Sequence, residues 1–223
     1  MGAMRALLRV LGLGGRKVPP SRRVREWSNQ ELKGFASLYT GRVINVSAWR
    51  DEDKEGGYYR DYFINASTYA ISNYQGWRGD ERGSSMFIID LEQSVPEELV
   101  RSFDVVFNHT TLEHVYHVFD AFRNLCLLSN DTVILVTPFL QHLHGPEHGD
   151  YWRLTPYCVR RMFADSGYEV LYESGSVTEG GAYLFHVASR EPAKWRGKVP
   201  EARLDDRPLR KVRLQVPQQD RSG

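Results

Sequence analysis

Three apolar runs constrain this chain more than any other feature: Phe87-Ile88-Ile89, Val105-Val106-Phe107 and Val133-Ile134-Leu135-Val136. Continuous rather than alternating apolar runs belong to strands covered on both faces. Stretches of helical period between them argue for a parallel sheet flanked by crossover helices. The pattern predicts strands over Arg42–Ser47, Thr68–Ser72, Met86–Leu91, Phe103–Asn108, Thr132–Thr137, Tyr168–Glu173 and Ala182–Ser189. Helices fit at Asn29–Tyr39, Pro96–Arg101, Thr111–Leu128 and Pro156–Asp165, with a shorter turn near Tyr59–Phe63. The last two strands are joined by the glycine-containing SGSVTEGG, which suits a closing antiparallel pair. No internal repeat is visible.

At 223 residues, 41% hydrophobic and 26% charged, the chain suffices for one sizeable core. Three segments are expected: 1–40, a basic amphipathic helix, a linker at Pro19-Pro20 and Arg22-Arg23, and a second helix; 41–189, the α/β domain; and 190–223, a basic, irregular tail. In the first, Met4, Leu7, Leu8 and Leu11 fall on one helical stripe, with Arg5 and Arg9 off it. This stripe suits docking on the domain or a partner, or weak contact with a membrane surface. MRALLRVLGLGG is short and Arg-interrupted for a secretory signal, and no apolar run approaches transmembrane length. Cys126 and Cys158 lie far apart inside predicted helices, so a disulfide framework is not expected, and a reducing, cytoplasmic setting is. Residues 1–27 carry +6 and 190–223 carry +5, leaving 28–189 at −10 within a chain of net charge +1. An acidic body without a basic stripe is not a nucleic-acid reader.

Open α/β sheets bind ligands beyond the carboxyl ends of their strands, so the residues following each strand carry the functional information. The first strand runs into Ile44-Asn45-Val46-Ser47-Ala48-Trp49 and the charged run Arg50–Gly57. The second ends at Asn73. The third leads into Ile89-Asp90-Leu91. The fourth ends in Asn108-His109, followed by Thr110-Thr111-Leu112-Glu113-His114-Val115. The fifth opens into TPFLQHLHGPEHGDYWRLTP, which ends with Thr155-Pro156 as N-cap and first residue of the next helix.

In this order the segment Gly41–Ser189, best from Met86 to Tyr168, resembles the class I S-adenosylmethionine (SAM)-dependent methyltransferases. The resemblance is to the methyltransferase type 11-like group, with an altered glycine-rich cofactor motif. It implies a Rossmann-like methyltransferase fold, a mostly parallel seven-stranded sheet with helices on both faces. It also implies SAM as cofactor and methyl transfer to a small-molecule or sugar-type acceptor, most simply at oxygen. By the same resemblance Val46, Ser47, Ala48, Asn73, Asp90, Leu91 and Asn108 would meet the cofactor. Asn73 stands where the family places an acid for the ribose, and Asp90 where it addresses the adenine amino group. His144, Asp150, Tyr151, Trp152 and Arg153 would face the acceptor, or anchor their loop to the core. His109, His114 and His148 are the candidate bases, since imidazole titrates near neutrality.

Plainer roles compete at several positions. Thr110-x-x-Glu113 reads as a capping box, and Asp90 as a turn acid. The run Asp51–Gly56 has the first half of a calcium-loop spacing, but Tyr62 occupies the twelfth position, where a carboxylate is required; a solvated loop is expected. His142, His144, His148 and Asp150 include zinc-ligand types, but spacing alone does not show that they converge, and no metal is expected. A methyltransferase-like chain that has lost catalysis and serves as a binding or assembly module is the main alternative, favoured by the missing glycines. A metal-dependent hydrolase built on the His-rich loop is the third.

Overall fold

The computed structural model describes residues 20–74, 85–145, 149–178, 181–200, 204–205 and 209. Seven strands form one sheet: β1 (Arg42–Val46), β2 (Thr68–Asn73), β3 (Ser85–Ile88), β4 (Phe103–His109), β5 (Ser129–Leu140), β6 (Glu169–Thr178) and β7 (Gly181–Ser189). The order across the sheet is β3-β2-β1-β4-β5-β7-β6. β1 to β5 pair in parallel, and β7 runs antiparallel to both β5 and β6. All seven expected strands are present, with bounds shifted by a few residues.

The runs of β4 and β5 are buried on both sides, and successive residues belong to opposite faces, as the strand period requires. β3 is instead an edge strand whose Ile88 is exposed, which corrects the covered strand expected there. Ile44, Val106, Val133 and Leu135 pack under helices α2 (Val118–Leu128) and α3 (Pro156–Asp165). Val43, Val105, Phe107, Ile134 and Val136 pack on the other face with Val24, Leu32, Phe35 and Ala36 of helix α1 (Pro20–Ala36). Phe35 meets the rings of Tyr172 and Phe185 at 4.5 and 5.7 Å. Glu31 fixes the rotation of α1 by accepting the hydroxyls of Tyr172 and Ser174, both at 2.6 Å.

Four further expectations are corrected. The helix expected from Asn29 begins at Pro20, within the expected linker, where a proline's fixed φ suits a helix start. The helix expected from Thr111 is a single 3-10 turn, Leu112–His114, and α2 starts only at Val118. The carbonyl of Glu113 accepts the N–H groups of Tyr151 and Trp152, and those of Val115 and Tyr116 accept Trp152 Nε1, so these carbonyls serve the later loop instead of a helix. With the turn so short, Thr110 and Glu113 form no capping box. Finally, the chain beyond Ser189 does not leave the core at once. Helix α4 (Pro192–Trp195) buries Trp195, whose indole N–H donates to Asp131 at 2.9 Å.

By contrast, Thr155 caps α3 through its side chain and Pro156 opens the helix, as the sequence indicates. The expected amphipathic helix at Met4–Leu11 lies outside the described residues. Among the described residues no helix is long and apolar enough to cross a membrane.

Candidate functional site

The chain order reverses between β1 and β4, adjacent strands on whose outer sides the rest of the sheet is built. A crevice forms at the carboxyl ends of such a pair, and Val46 and Asn108 stand in register there. Asn108 Nδ2 donates to the Val46 carbonyl at 2.9 Å, while its Oδ1 is buried without a hydrogen-bond partner.

The turn after β1 follows an unusual backbone path. Ser47, Trp49 and Asp51, at every second position, have φ of 58°, 57° and 62°. This is the left-handed region normally left to glycine, and each such residue costs roughly 1 kcal/mol. The turn therefore keeps a glycine-type shape without glycines, and side-chain anchors hold it there. The Asn73 amide bonds both the N–H and the carbonyl of Trp49. Ser72 receives the Ala48 N–H on its carbonyl at 2.9 Å.

Asp51, fully buried, accepts Asn45 Nδ2 at 2.7 Å, Tyr69 OH at 2.6 Å and Arg60 N–H at 2.9 Å. Asp53, 3% exposed, accepts the amides of Glu55 and Gly57 and the Tyr62 hydroxyl. Burial alone would raise the Asp53 pKa, but these donors outweigh it and hold it below the usual carboxylate value. Asp51 and Asp53 are thus internal braces, which corrects the expected solvated loop at these two positions while Lys54 and Glu55 remain exposed. The sequence shows the charge of the two aspartates but not their donors.

Opposite the turn, β4 ends in His109 and Thr110. His109 Nε2 lies 2.8 Å from Ser28 Oγ, whose own hydroxyl donates to the Arg25 carbonyl at 2.9 Å. Ser28 therefore accepts from Nε2–H, which leaves Nδ1 as an acceptor for Arg25 Nη1 at 3.2 Å. Burial, and then the Arg25 charge, push the His109 pKa well below the usual imidazole value, so the ring is neutral. Arg25 also donates to Tyr59 OH at 3.2 Å and Thr110 Oγ1 at 3.0 Å. A cavity of about 320 Å³ is lined by Arg25, Tyr59, His109 and Thr110 together with Asn45, Ser47, Ala48 and Trp49, and by Glu52 and Lys54.

A second cluster sits at the ends of β4 and β5. Glu113, 2% exposed, has neither carboxyl oxygen hydrogen-bonded. Burial, only partly offset by its own backbone amide and then by Arg153 and Arg25, pushes its pKa up to about 7. His114 lies beside it, with Nδ1 2.7 Å from the Gly149 carbonyl and Nε2 3.7 Å from Glu113 Oε1. A carbonyl only accepts, so Nδ1 carries the proton and Nε2 keeps its lone pair in the neutral ring.

The His144 ring is 4.7 Å from that of His114, and its backbone N–H donates to Asp150 Oδ2 at 2.9 Å. Asp150 forms a two-pronged pair with Arg153, which holds its pKa well below the usual range. Trp152 is a loop anchor through its indole N–H, whereas Tyr151 is exposed and meets the exposed Tyr116 edge-on at 5.4 Å.

Asp90 and Leu91 stand past the end of β3, two strands from β1, or about 10 Å. Asp90 Oδ1 accepts the Glu92 N–H in a local turn, and Leu91 is buried with its carbonyl bonded to Asn124. The structure thus brings Val46, Ser47, Ala48, Asn73, Asn108 and His109 together at the ends of β1, β2 and β4, with Ser47, Ala48 and His109 lining the cavity, and gathers His114, His144, Asp150 and Arg153 in the second cluster. His148 lies outside the described residues. Among the described residues no three His, Cys, Asp or Glu side chains converge to hold a metal ion.

Arg25, Ser28 and Tyr59 are the site residues that sequence reasoning missed. Val24, Ser28, Leu32, Phe35 and Ala36 lie near one helical stripe, and this period, carried back to Pro20, places Arg25 beside the buried face.

No protein-family model matches the chain, and no curated protein matches it in sequence. Solved structures match its fold. A SAM-dependent methyltransferase from Mesorhizobium loti has a TM-score of 0.53 at 12% identity, over 74% of this chain and 98% of that one. Magnesium protoporphyrin IX methyltransferase from Synechocystis PCC 6803, with bound S-adenosylhomocysteine (SAH), has 0.54 at 11% identity, over 85% and 94%. A SAM-dependent methyltransferase from Clostridium acetobutylicum has 0.54 at 6% identity, over 84% and 98%. The chain has the Rossmann-like fold of SAM-dependent methyltransferases.

Proposed function

We propose that this chain is a SAM-dependent methyltransferase that transfers a methyl group to a small-molecule or sugar-type acceptor, at oxygen. The observation that carries this reading is the cavity at the β1/β4 crossover, between the left-handed turn at Ser47–Asp51 and His109-Thr110. Small Ser47 and Ala48 leave room beside the turn, and Arg25, Tyr59 and His109 line the same cavity with polar groups. These features fit the amino-acid end of SAM, with Asp90 addressing the adenine end. When bound, SAM supplies an electrophilic methyl on a sulfonium. The protein's share is largely alignment of the two reactants.

His114 is the base we favour. Its Nε2 lone pair is held by the Nδ1–Gly149 bond and would receive the acceptor's hydroxyl proton as its oxygen gains the methyl. His109 is kept neutral with Nδ1 turned to Arg25 and suits positioning better than proton transfer. We take the acceptor to lie against Tyr116, Tyr151 and the Asp150–Arg153 pair. The partners on this reading are the cofactor and the acceptor, with no nucleic acid and at most weak membrane-surface or partner contact through the basic N-terminus, in a cytoplasmic setting.

A second reading, a binding or assembly module without catalysis, is favoured by the Asn73 amide, which braces Trp49 where the family places a ribose-binding acid. Calorimetric titration with SAM and SAH separates the two. The enzyme reading expects micromolar binding that Asp90→Ala weakens without unfolding the chain, and the second expects no binding.

A further inference from the structure

Arg25 reaches from helix α1 across to the end of β4, and each of its side-chain hydrogen bonds goes to a neutral acceptor: Tyr59 OH, His109 Nδ1 and Thr110 Oγ1. Glu113 acts on it only at longer range, and Glu52, which lines the same cavity, is paired with Lys54 at 3.3 Å. A cation partly withdrawn from water, as Arg25 is, commonly has a carboxylate in contact. Here its neighbours are arranged so that none carries charge. Ser28 fixes the His109 tautomer, and Thr110 adopts a left-handed φ of 50° while bonding both Arg25 and His109. A buried histidine, a buried serine and a strained threonine thus hold one guanidinium, part of whose donor fork is left for the cavity it lines.

We propose that Arg25 is the receptor for a carboxylate- or phosphate-type anion that enters this cavity between His109-Thr110 and Ser47–Trp49. An incoming anion supplies the missing counter-charge. The guanidinium presents it a planar, already oriented pair of donors, which is the geometry that selects such groups. The proposal deepens the methyltransferase reading and rests on it for the identity of the anion. Two sources share this chemistry: the amino-acid carboxylate of SAM, and an acid group on the acceptor.

The test compares wild type with Arg25→Gln and Arg25→Lys in the full chain. Affinities are measured for SAH, for 5′-methylthioadenosine, which lacks the amino-acid carboxylate, and for acetate and inorganic phosphate with and without SAH. If the cofactor supplies the anion, Arg25→Gln weakens SAH by about tenfold to a hundredfold and leaves methylthioadenosine unchanged. A merely structural clamp would weaken both together. If the acceptor supplies it, SAH affinity is unchanged, and acetate or phosphate binds the SAH complex of wild type but not of Arg25→Gln. Arg25-dependent anion binding by a chain that ignores SAH would uphold this site and overturn the methyltransferase reading. Equal loss of SAH and methylthioadenosine, or no Arg25-dependent binding of any probe, would overturn the proposal. Arg25→Lys, which keeps the charge but not the fork, is expected to restore binding only in part.

Discussion

Both ends of the Asn73 side-chain amide are engaged by the backbone of one residue, Trp49: Oδ1 accepts its N–H at 2.8 Å, and Nδ2 donates to its carbonyl at 3.0 Å. This pairing joins the end of β2 to the turn after β1 and holds that turn in its left-handed path. An aspartate here would keep the acceptor but set a negative oxygen against the Trp49 carbonyl. Asn73→Asp is therefore expected to lower stability by about 1–3 kcal/mol without tightening SAH binding, read by urea unfolding and by titration. Tighter binding at unchanged stability would show that the amide is a weakened ribose contact and not a brace.

The left-handed positions of the turn are expected to respond differently to glycine. At Ser47, glycine relieves about 1 kcal/mol of backbone strain but adds a similar freedom to the unfolded chain, so Ser47→Gly should be near neutral. Asp51→Gly relieves the same strain yet strips Asn45, Tyr69 and the Arg60 amide of a buried acceptor. It should cost about 3 kcal/mol or more. Equal effects in thermal unfolding would mean that the carboxylate does not hold the loop.

Glu113 ties stability to pH. Its pKa rises from 4.5 to about 7 on folding, so between these values the native state holds a proton that the unfolded chain has lost. Its contribution is fully present below pH 4.5 and is lost as pH rises through 7, a change on the order of 3 kcal/mol. Glu113→Gln should flatten this part of the stability–pH curve and gain most over wild type above pH 7. Parallel curves would show that the carboxyl is not held in an apolar site.

Asp150 acts in the opposite sense. Its hydrogen bonds with Arg153 depress its pKa, so the stability it contributes is present above its ordinary value of 3.8 and disappears as acidification passes the folded value. Asp150→Asn should lose stability at neutral pH and show a shallower acid limb in urea unfolding. An unchanged acid limb would mean that the fork does not persist in solution.

The run at Phe87–Ile89 marked a strand but not its burial, since β3 lies at the sheet edge with Ile88 exposed. The central strands were legible because the apolar runs of β4 and β5 are buried on both faces. Val105 and Val106, or Ile134 and Leu135, serve opposite sides, and only a strand within a covered sheet needs adjacent apolar residues to do so. Helix α3 was legible at both ends because Thr155-Pro156 is a local start signal. The 3-10 turn at Leu112–His114 was not, since what stops the helix is a pair of amides from Tyr151 and Trp152, far along the chain. The same holds at the site. Asn73 and Ser47 could be placed by strand ends, but the arrangement around Arg25 depends on Ser28, Tyr59, His109 and Thr110 meeting across three elements. Composition likewise marked Asp51 and Asp53 as solvated because their charge is local information and their donors are not.

The most direct test of the central claim is calorimetric titration of the full chain with SAH. The cavity at the β1/β4 crossover is expected to bind it at one site with micromolar affinity, with the affinity weakened by Asp90→Ala. Absence of any binding heat across several titration temperatures, in a sample whose unfolding is cooperative, would contradict a cofactor site there.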